Sequence, residues 1–237
     1  MRIDITTTAT LRPQLLDRTY DSFKKRLFKN KHECRAIINI DPIGEKCSYR
    51  DVVKVAKKHF NDVIYNVPDE PSFPKAWIWC WKQVEADYVF HLEEDWLLLR
   101  DVDIDHMIGI LQENKKIAAL RMAKMDINSL HFFSSKYVQR DGYLLALNRK
   151  KSFGGNPQLV RGDFVKATRS LMIDDRNPEK QFRAGTPVVF TVVSRWDYAV
   201  YGKLGDRMLV EDIGRTWRRR HNFEKEGGAG FLRWTKV

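Results

Sequence analysis

Cysteine is scarce in this chain, with Cys34, Cys47 and Cys80 the only three among 237 residues. Their number is odd and no two stand in a C-x-x-C spacing, which argues against a disulfide framework and a cysteine-rich zinc site and points to a reducing compartment. Long apolar runs are missing too. No stretch approaches a membrane span, and Met1-Arg2-Ile3-Asp4 leads straight into a strand-like pattern with no apolar signal core behind a basic start. The expectation is a soluble, cytoplasmic protein. Internal repeats and linkers are also absent, so residues 1–237 are expected to form one domain, a length that suits a single α/β core. Acidic residues are in deficit, 31 against 42 Lys and Arg, and the formal charge is +11. Such a field attracts polyanions, whether nucleic acid, anionic lipid or a diphosphate-bearing substrate, without choosing among them.

What is present is an alternation of short apolar runs and amphipathic stretches. Ile3 and Ile5 alternate with polar residues and lead into Thr6-Thr7-Thr8, read as strand then loop, after which Leu16, Tyr20, Phe23 and Leu27 recur at helical spacing. Arg35 to Ile40 reads as a buried strand that exits at Asp41-Pro42-Ile43-Gly44. Val52, Val55, Ala56 and His59 share a helical face, Val63 to Val67 reads as a third strand, and Trp77, Cys80, Trp81 and Val84 line one face of a helix opening near Pro74. That tryptophan stripe is core rather than a stacking platform. Tyr88 to Leu92 is a fully apolar strand with Glu93-Glu94-Asp95 at its carboxyl end, followed by a helix carrying Ile104, Met107, Ile108 and Leu111 and a strand over 117–121. This order predicts an α/β fold with a mixed, mostly parallel sheet and helices on both faces, where ligands bind beyond the carboxyl ends of the strands. Further on, strands are expected over 142–147 and 188–193, a loop at Gly154-Gly155-Asn156-Pro157 and a helix from Gly162.

Three carboxylates in succession repel one another unless solvent or a cation compensates, and a hard divalent ion such as Mg²⁺ or Mn²⁺ is a natural partner. Alternation along an extended segment would aim Glu93 and Asp95 to one side and leave Glu94 to brace the loop. A solvated acidic turn has the same sequence. His91 reads as a hydrogen-bonded core histidine.

A strand-ending acidic triplet after βαβαβα, with a Thr-rich first loop and Asp41 closing the second strand, resembles the nucleotide-sugar-binding half of GT-A glycosyltransferases, family-2-like members above all. The resemblance implies a GT-A (Rossmann-like) fold, with residues 1–125 binding a nucleotide-diphosphate sugar and 126–237 binding the acceptor and closing over the site. It makes Asp95 the metal ligand and puts Glu93 at the first place of the family's D-x-D motif, where glutamate is a departure; Glu94 is grouped with the donor-binding residues. Thr6, Thr7 and Thr8 would line the nucleotide, Arg12 would meet its phosphates, Asp41 the base or ribose, and Lys75 the nucleotide. Each has a plainer reading, as a strand-end threonine, a first-turn arginine, a turn aspartate or a solvated lysine. The late segment Arg215, Arg218, Arg219, Arg220 and His221 would fold over the diphosphate, with His221 a further metal ligand. A solvated basic helix end or a polynucleotide-contacting strip fits the same residues. Glu179 is the implied catalytic base if the reaction inverts, with Asp163 and Asp175 as alternatives.

For the acceptor, a charge of +11 without a membrane span fits a polyanion. The chain is similar to the compact glycosyltransferases with which tailed bacteriophages decorate hydroxymethylated bases of their own genomes. That makes double-stranded DNA the expected acceptor and the host cytoplasm the place. Two other readings stay open, a surface or capsular saccharide as acceptor and a non-catalytic basic nucleic-acid-binding protein.

Overall fold

The computed structural model describes residues 1–29, 31–128, 137–147, 154–184, 191–226 and 233–236. Its first strand, β1 (Arg2–Leu11), is longer than the sequence pattern predicts. Thr6, Thr7 and Thr8 continue it instead of forming a loop, because β-branched threonine suits a pleated strand and β1 is paired on both edges, with β2 (Glu33–Gly44) and with β4 (Tyr88–His91). Pro13 at the first helical turn opens α1 (Pro13–Phe23). A capping box between Ser48 and Asp51 opens α2 (Tyr49–His59), which leads to the edge strand β3 (Asp62–Asn66). Ser72 caps α3 (Phe73–Lys82) ahead of Pro74.

After β4 come a short β5 (Trp96–Leu98), α4 (Ile104–Glu113) and β6 (Ile117–Met122). The later elements are β7 (Tyr137–Arg140), β8 (Tyr143–Ala146), β9 (Gln158–Arg161), α5 (Gly162–Arg169), α6 (Pro178–Ala184), β10 (Asp197–Tyr201), β11 (Val210–Asp212), α7 (Gly214–Arg220), β12 (Phe223–Glu226) and β13 (Arg233–Lys236). Nine strands form one sheet in the order β3-β2-β1-β4-β9-β6-β10-β8-β7. All run in one direction except β9 and β8. The α/β class, the mostly parallel sheet and helices on both faces are as the alternation predicts.

Two details differ from the sequence reading. Thr191 to Val193 are helical, and the strand lies further on at Asp197–Tyr201; residues 188–190 fall outside the described segments. The sequence pattern also gave no sign of β9, which inserts antiparallel between β4 and β6.

The core lies on both sides of the sheet. One face packs Leu16, Tyr20 and Phe23 of α1, Val52 and Ala56 of α2, and Met107 and Leu111 of α4 against Ile3, Ile5, Ile38 and Phe90. The other packs Trp77, Cys80 and Trp81 of α3 with Phe164 and Phe182 against Ile37, Val89 and Val160. The tryptophan stripe is thus buried structure. Burial of this apolar surface, at about 25 cal/mol per Å², is what holds the carboxyl ends of β1, β2 and β4 side by side.

Candidate functional site

At those carboxyl ends lies a cavity of about 550 Å³, a size suited to a ligand larger than a few atoms. Its wall carries Asp41, Glu70, Glu93, Glu94, Asp95 and Glu179 against one cationic side chain, Arg12. In a chain of +11 this is a local reversal of sign.

The acidic turn does not keep strand alternation. The chain turns at Glu94 and Asp95 before β5 begins, so all three carboxylates reach the cavity, but with different partners. Glu94, 1% exposed, takes three hydrogen bonds on Oε1: from Thr10 Oγ1 at 2.7 Å and from Arg12 Nε and Nη2 at 2.9 and 2.5 Å. Its Oε2 has no hydrogen-bond partner among the described residues. Burial pushes the Glu94 carboxyl above its ordinary range, and Asp95 beside it adds to this, although Arg12 opposes both. Asp95 Oδ2 lies 3.3 Å from Arg12 Nη2 and 3.9 Å from Arg218 Nη1. Glu93 faces elsewhere, toward Gly155 and Glu179. A Cβ on Gly155 would lie 2.9 Å from Glu93 Oε1 and 3.0 Å from Glu179 Oε1, so glycine leaves room for both carboxylates. The Gly155 N–H donates to Glu179, while Asn177 Oδ1 caps the start of α6 by accepting from Glu179 N at 3.0 Å.

Asp41 sits at the far wall, accepting from Asn39 Nδ2 at 2.8 Å and from the Ser72 N–H at 3.1 Å. Burial pushes its carboxyl up to about 6, and Glu94 adds to the shift. Ile43, Pro71 and Phe73 give this end an apolar lining.

The structure redistributes several sequence expectations. Thr8 lines the cavity, but Thr6 and Thr7 do not; they are fully buried, Thr6 Oγ1 3.2 Å from His91 Nδ1 and Thr7 accepting from Tyr20 Oη at 2.9 Å. The pleat, with its two-residue period, carries Thr8 and Thr10 onward to the strand end. His91 is a core residue against Trp77, kept neutral by burial that lowers its pKa to about 3. Arg12 lines the cavity, but its guanidinium is held by Glu94 and Asp95 instead of being presented to a phosphate. Lys75 is exposed on α3 and not part of the lining; Ser72 and Phe73, just before it, are. The N-cap Ser72 ahead of Pro74 was the signal for this, because residues at a helix start face the strand ends while the next turn does not. Thr10, Glu70 and Asn177 are lining residues that the sequence reading missed.

The C-terminal segment closes on the acidic turn through a short antiparallel ladder, β11 on β5. Ile213 N donates to the Asp95 carbonyl at 2.9 Å, and a Cβ on Gly214 would fall 1.9 Å from Asp95 Oδ2, so only glycine allows α7 this approach. Trp217 of α7 lies over the Arg12 guanidinium at 4.9 Å and donates its indole N–H to Glu45 at 2.9 Å. His221 is exposed, stacked on Trp217 at 4.3 Å with Nδ1 2.9 Å from the Trp217 carbonyl; it does not line the cavity.

The donor set suits a hard cation, since every ionisable lining group but Arg12 is a carboxylate and one buried carboxylate oxygen lacks a partner. Among the described residues no three His, Cys, Asp or Glu are gathered closely enough to hold a metal by themselves. An ion held by one or two carboxylates with the rest of its shell from phosphate oxygens is the usual arrangement for Mg²⁺ and Mn²⁺.

No family model matches the sequence, and no curated protein matches it. Solved structures share its fold. S. aureus TarS 1–349 in complex with UDP-GlcNAc is similar at a TM-score of 0.60 and 13% identity over 97% of this chain and 60% of that one. The mannosyltransferase PcManGT from Pyrobaculum calidifontis, in complex with GDP-Man and Mn²⁺, is similar at 0.58 and 12%, over 86% and 55%. A CMP-2-keto-3-deoxy-manno-octonic acid synthetase complexed with CTP is similar at 0.54 and 12%, over 93% and 97%. The fold is thus GT-A-like, that of enzymes that handle nucleotide-sugars. The chain spans 36% of full TarS and 60% of TarS 1–349.

Proposed function

We propose that the protein is a metal-dependent glycosyltransferase, moving a sugar from a nucleotide-diphosphate sugar to an acceptor hydroxyl. The observation that carries this is the cavity's charge: six carboxylates and one arginine at the strand ends of a GT-A-like fold. An anionic diphosphate does not enter such a wall unaided, at roughly 4 kcal/mol per close like-charge pair in an effective dielectric of 20. Asp95, with Glu93 or Glu94, would hold Mn²⁺ or Mg²⁺. That ion supplies neutralisation of the diphosphate and of the leaving nucleoside diphosphate.

The remaining work belongs to side chains. The nucleoside lies along the Asp41–Phe73 wall, with Thr8 beneath it, and Arg218 on α7 adds positive charge at the phosphate end. Glu179, oriented by the Gly155 N–H and the Asn177 cap, accepts the proton of the acceptor hydroxyl as its oxygen bonds to the anomeric carbon. The anomeric C–O bond to the diphosphate breaks and that oxygen keeps the electron pair.

The finer reading is a hydroxymethylated base in bacteriophage DNA as acceptor, in the host cytoplasm. It is supported by the charge of +11 and by α7, which exposes Arg215, Arg219 and Arg220 next to the acidic turn. Among the described residues no helix is long and apolar enough to cross a membrane.

The test is transfer with Mn²⁺ or Mg²⁺ from uridine, guanosine, cytidine and thymidine diphosphate sugars to hydroxymethylated DNA and to simple saccharides, beside Asp95→Ala. Metal-dependent transfer to DNA that Asp95→Ala abolishes is the expected result. Transfer to saccharide alone replaces the acceptor. Pyrophosphate release from a nucleoside triphosphate would instead assign the cavity to nucleotidyl transfer, and no donor binding at all would favour a non-catalytic basic protein.

A further inference from the structure

The cavity's one lining cation and its neighbour on α7 already sit where a metal's charge is needed. Arg12 Nη2 is 3.3 Å and Arg218 Nη1 3.9 Å from the same oxygen, Asp95 Oδ2. The two arginines differ in freedom. The Arg12 side chain is 2% exposed, bonded twice to Glu94 and covered by Trp217, so packing fixes it. The Arg218 side chain is 15% exposed, on the outer turn of a short helix, and its approach to Asp95 is too long for a hydrogen bond.

We propose that Arg218 is a resident counter-charge on Asp95 that competes with the divalent cation in the donor-free protein and turns to the diphosphate when donor binds. The proposal rests on the metal-dependent reading above. Its consequence is thermodynamic linkage: an arriving diphosphate removes the competitor from Asp95 as well as adding its own oxygens to the ion, so donor and cation bind with positive cooperativity. Arg12, locked in place, sets the baseline charge of the turn and does not take part in the exchange.

The experiment is a Mn²⁺ titration followed by electron paramagnetic resonance, on the wild type, Arg218→Gln and Arg218→Lys, each with and without UDP, GDP and CDP, with thermal melts to confirm folding. Without nucleotide, Arg218→Gln is expected to bind Mn²⁺ on the order of tenfold more tightly than the wild type, because a partly screened like charge has been removed. The gain in Mn²⁺ affinity on adding nucleotide is expected to shrink by a similar factor. Arg218→Lys, which keeps the charge, is expected to stay near the wild type. Unchanged or weaker Mn²⁺ binding by Arg218→Gln, with the wild type binding normally, overturns the competition alone. Absence of Mn²⁺ binding by every variant with every nucleotide overturns the metal-dependent reading and this inference with it.

Discussion

The sheet carries a buried arginine–carboxylate cluster at each end, built from the same groups and left in opposite states. Beneath the sheet, Asp4 takes two hydrogen bonds from Arg35, both 2.9 Å, and two more from the backbone N–H groups of Glu85 and Ala86 at 2.8 and 2.9 Å. Burial alone would push its carboxyl up; Arg35 and the two amides reverse that and hold it below the ordinary range. At the top, Glu94 crowds three donors onto one oxygen and leaves the other without a partner, with Asp95 adjacent, and its carboxyl is pushed up. The lower cluster is satisfied and holds the fold together. The upper one retains uncompensated negative charge, which a ligand-binding site needs and a purely structural pair does not.

Breaking the lower pair should have the largest effect on folding. Asp4→Ala strands a buried guanidinium and is expected to lower unfolding free energy by about 3–5 kcal/mol in urea denaturation. Donor affinity of the folded fraction, measured by calorimetry at low temperature, is expected to hold. An equal loss of affinity and stability would dissolve the distinction between the two ends.

Glu179→Gln addresses the upper end from the acceptor side. It is expected to reduce kcat by about 10²–10⁴-fold while the denaturation midpoint and donor Kd hardly move. A kcat within a few-fold of the wild type would remove Glu179 from the chemistry.

The pH response sharpens the contrast further. Asp41 binds its proton more tightly folded, at about 6, than unfolded, near 3.8, so its contribution opposes folding fully above pH 6 and vanishes below pH 4. Asp41→Asn is therefore expected to stabilise the protein by about 1–2 kcal/mol at pH 8, partly offset by the lost Ser72 bond, and to weaken donor binding. Asp4 has the opposite sign: its lowered native value gives stability that is present above the unfolded value and lost as pH falls through the native one. Denaturation midpoints of the two variants across pH 3 to 8 should diverge from the wild type at opposite ends of the range.

The smallest effect on the folded state is expected at α7. Replacing Arg215, Arg219 and Arg220 together with alanine should change stability by no more than about 0.5 kcal/mol. It should also flatten the dependence of log K for DNA on log salt by about 0.9 per lost phosphate contact. An unchanged slope would take this strip out of the acceptor-binding surface.

Much of the architecture was legible because each element meets the core on one face and writes that face into its own spacing. Leu16, Tyr20 and Phe23, or Ile104, Met107 and Leu111, need no partner to be recognised as a helix side. The acidic triplet was legible for a similar reason, since a fully apolar strand must end where its charges begin. The Thr6–Thr8 run was misread as a loop because polar side chains inside a strand look like an exit until it is known that both edges are paired. β9 and β10 escaped because their membership of the sheet depends on non-local pairing that leaves little local trace.

The sequence by itself determined the order of strands and helices, the place of the carboxylates at a strand end, and the sign of the protein's charge, all of which follow from local periodicity and composition. Only the tertiary structure decided which charges meet. Arg12 and Asp95 are 83 positions apart, and Trp217 and Glu45 are 172 apart. Electrostatic partners at 3–4 Å are set by how whole elements pack, so the pairing of Arg12 with Glu94, the burial of Thr6 and Thr7 and the closure of α7 on the acidic turn belong to the fold.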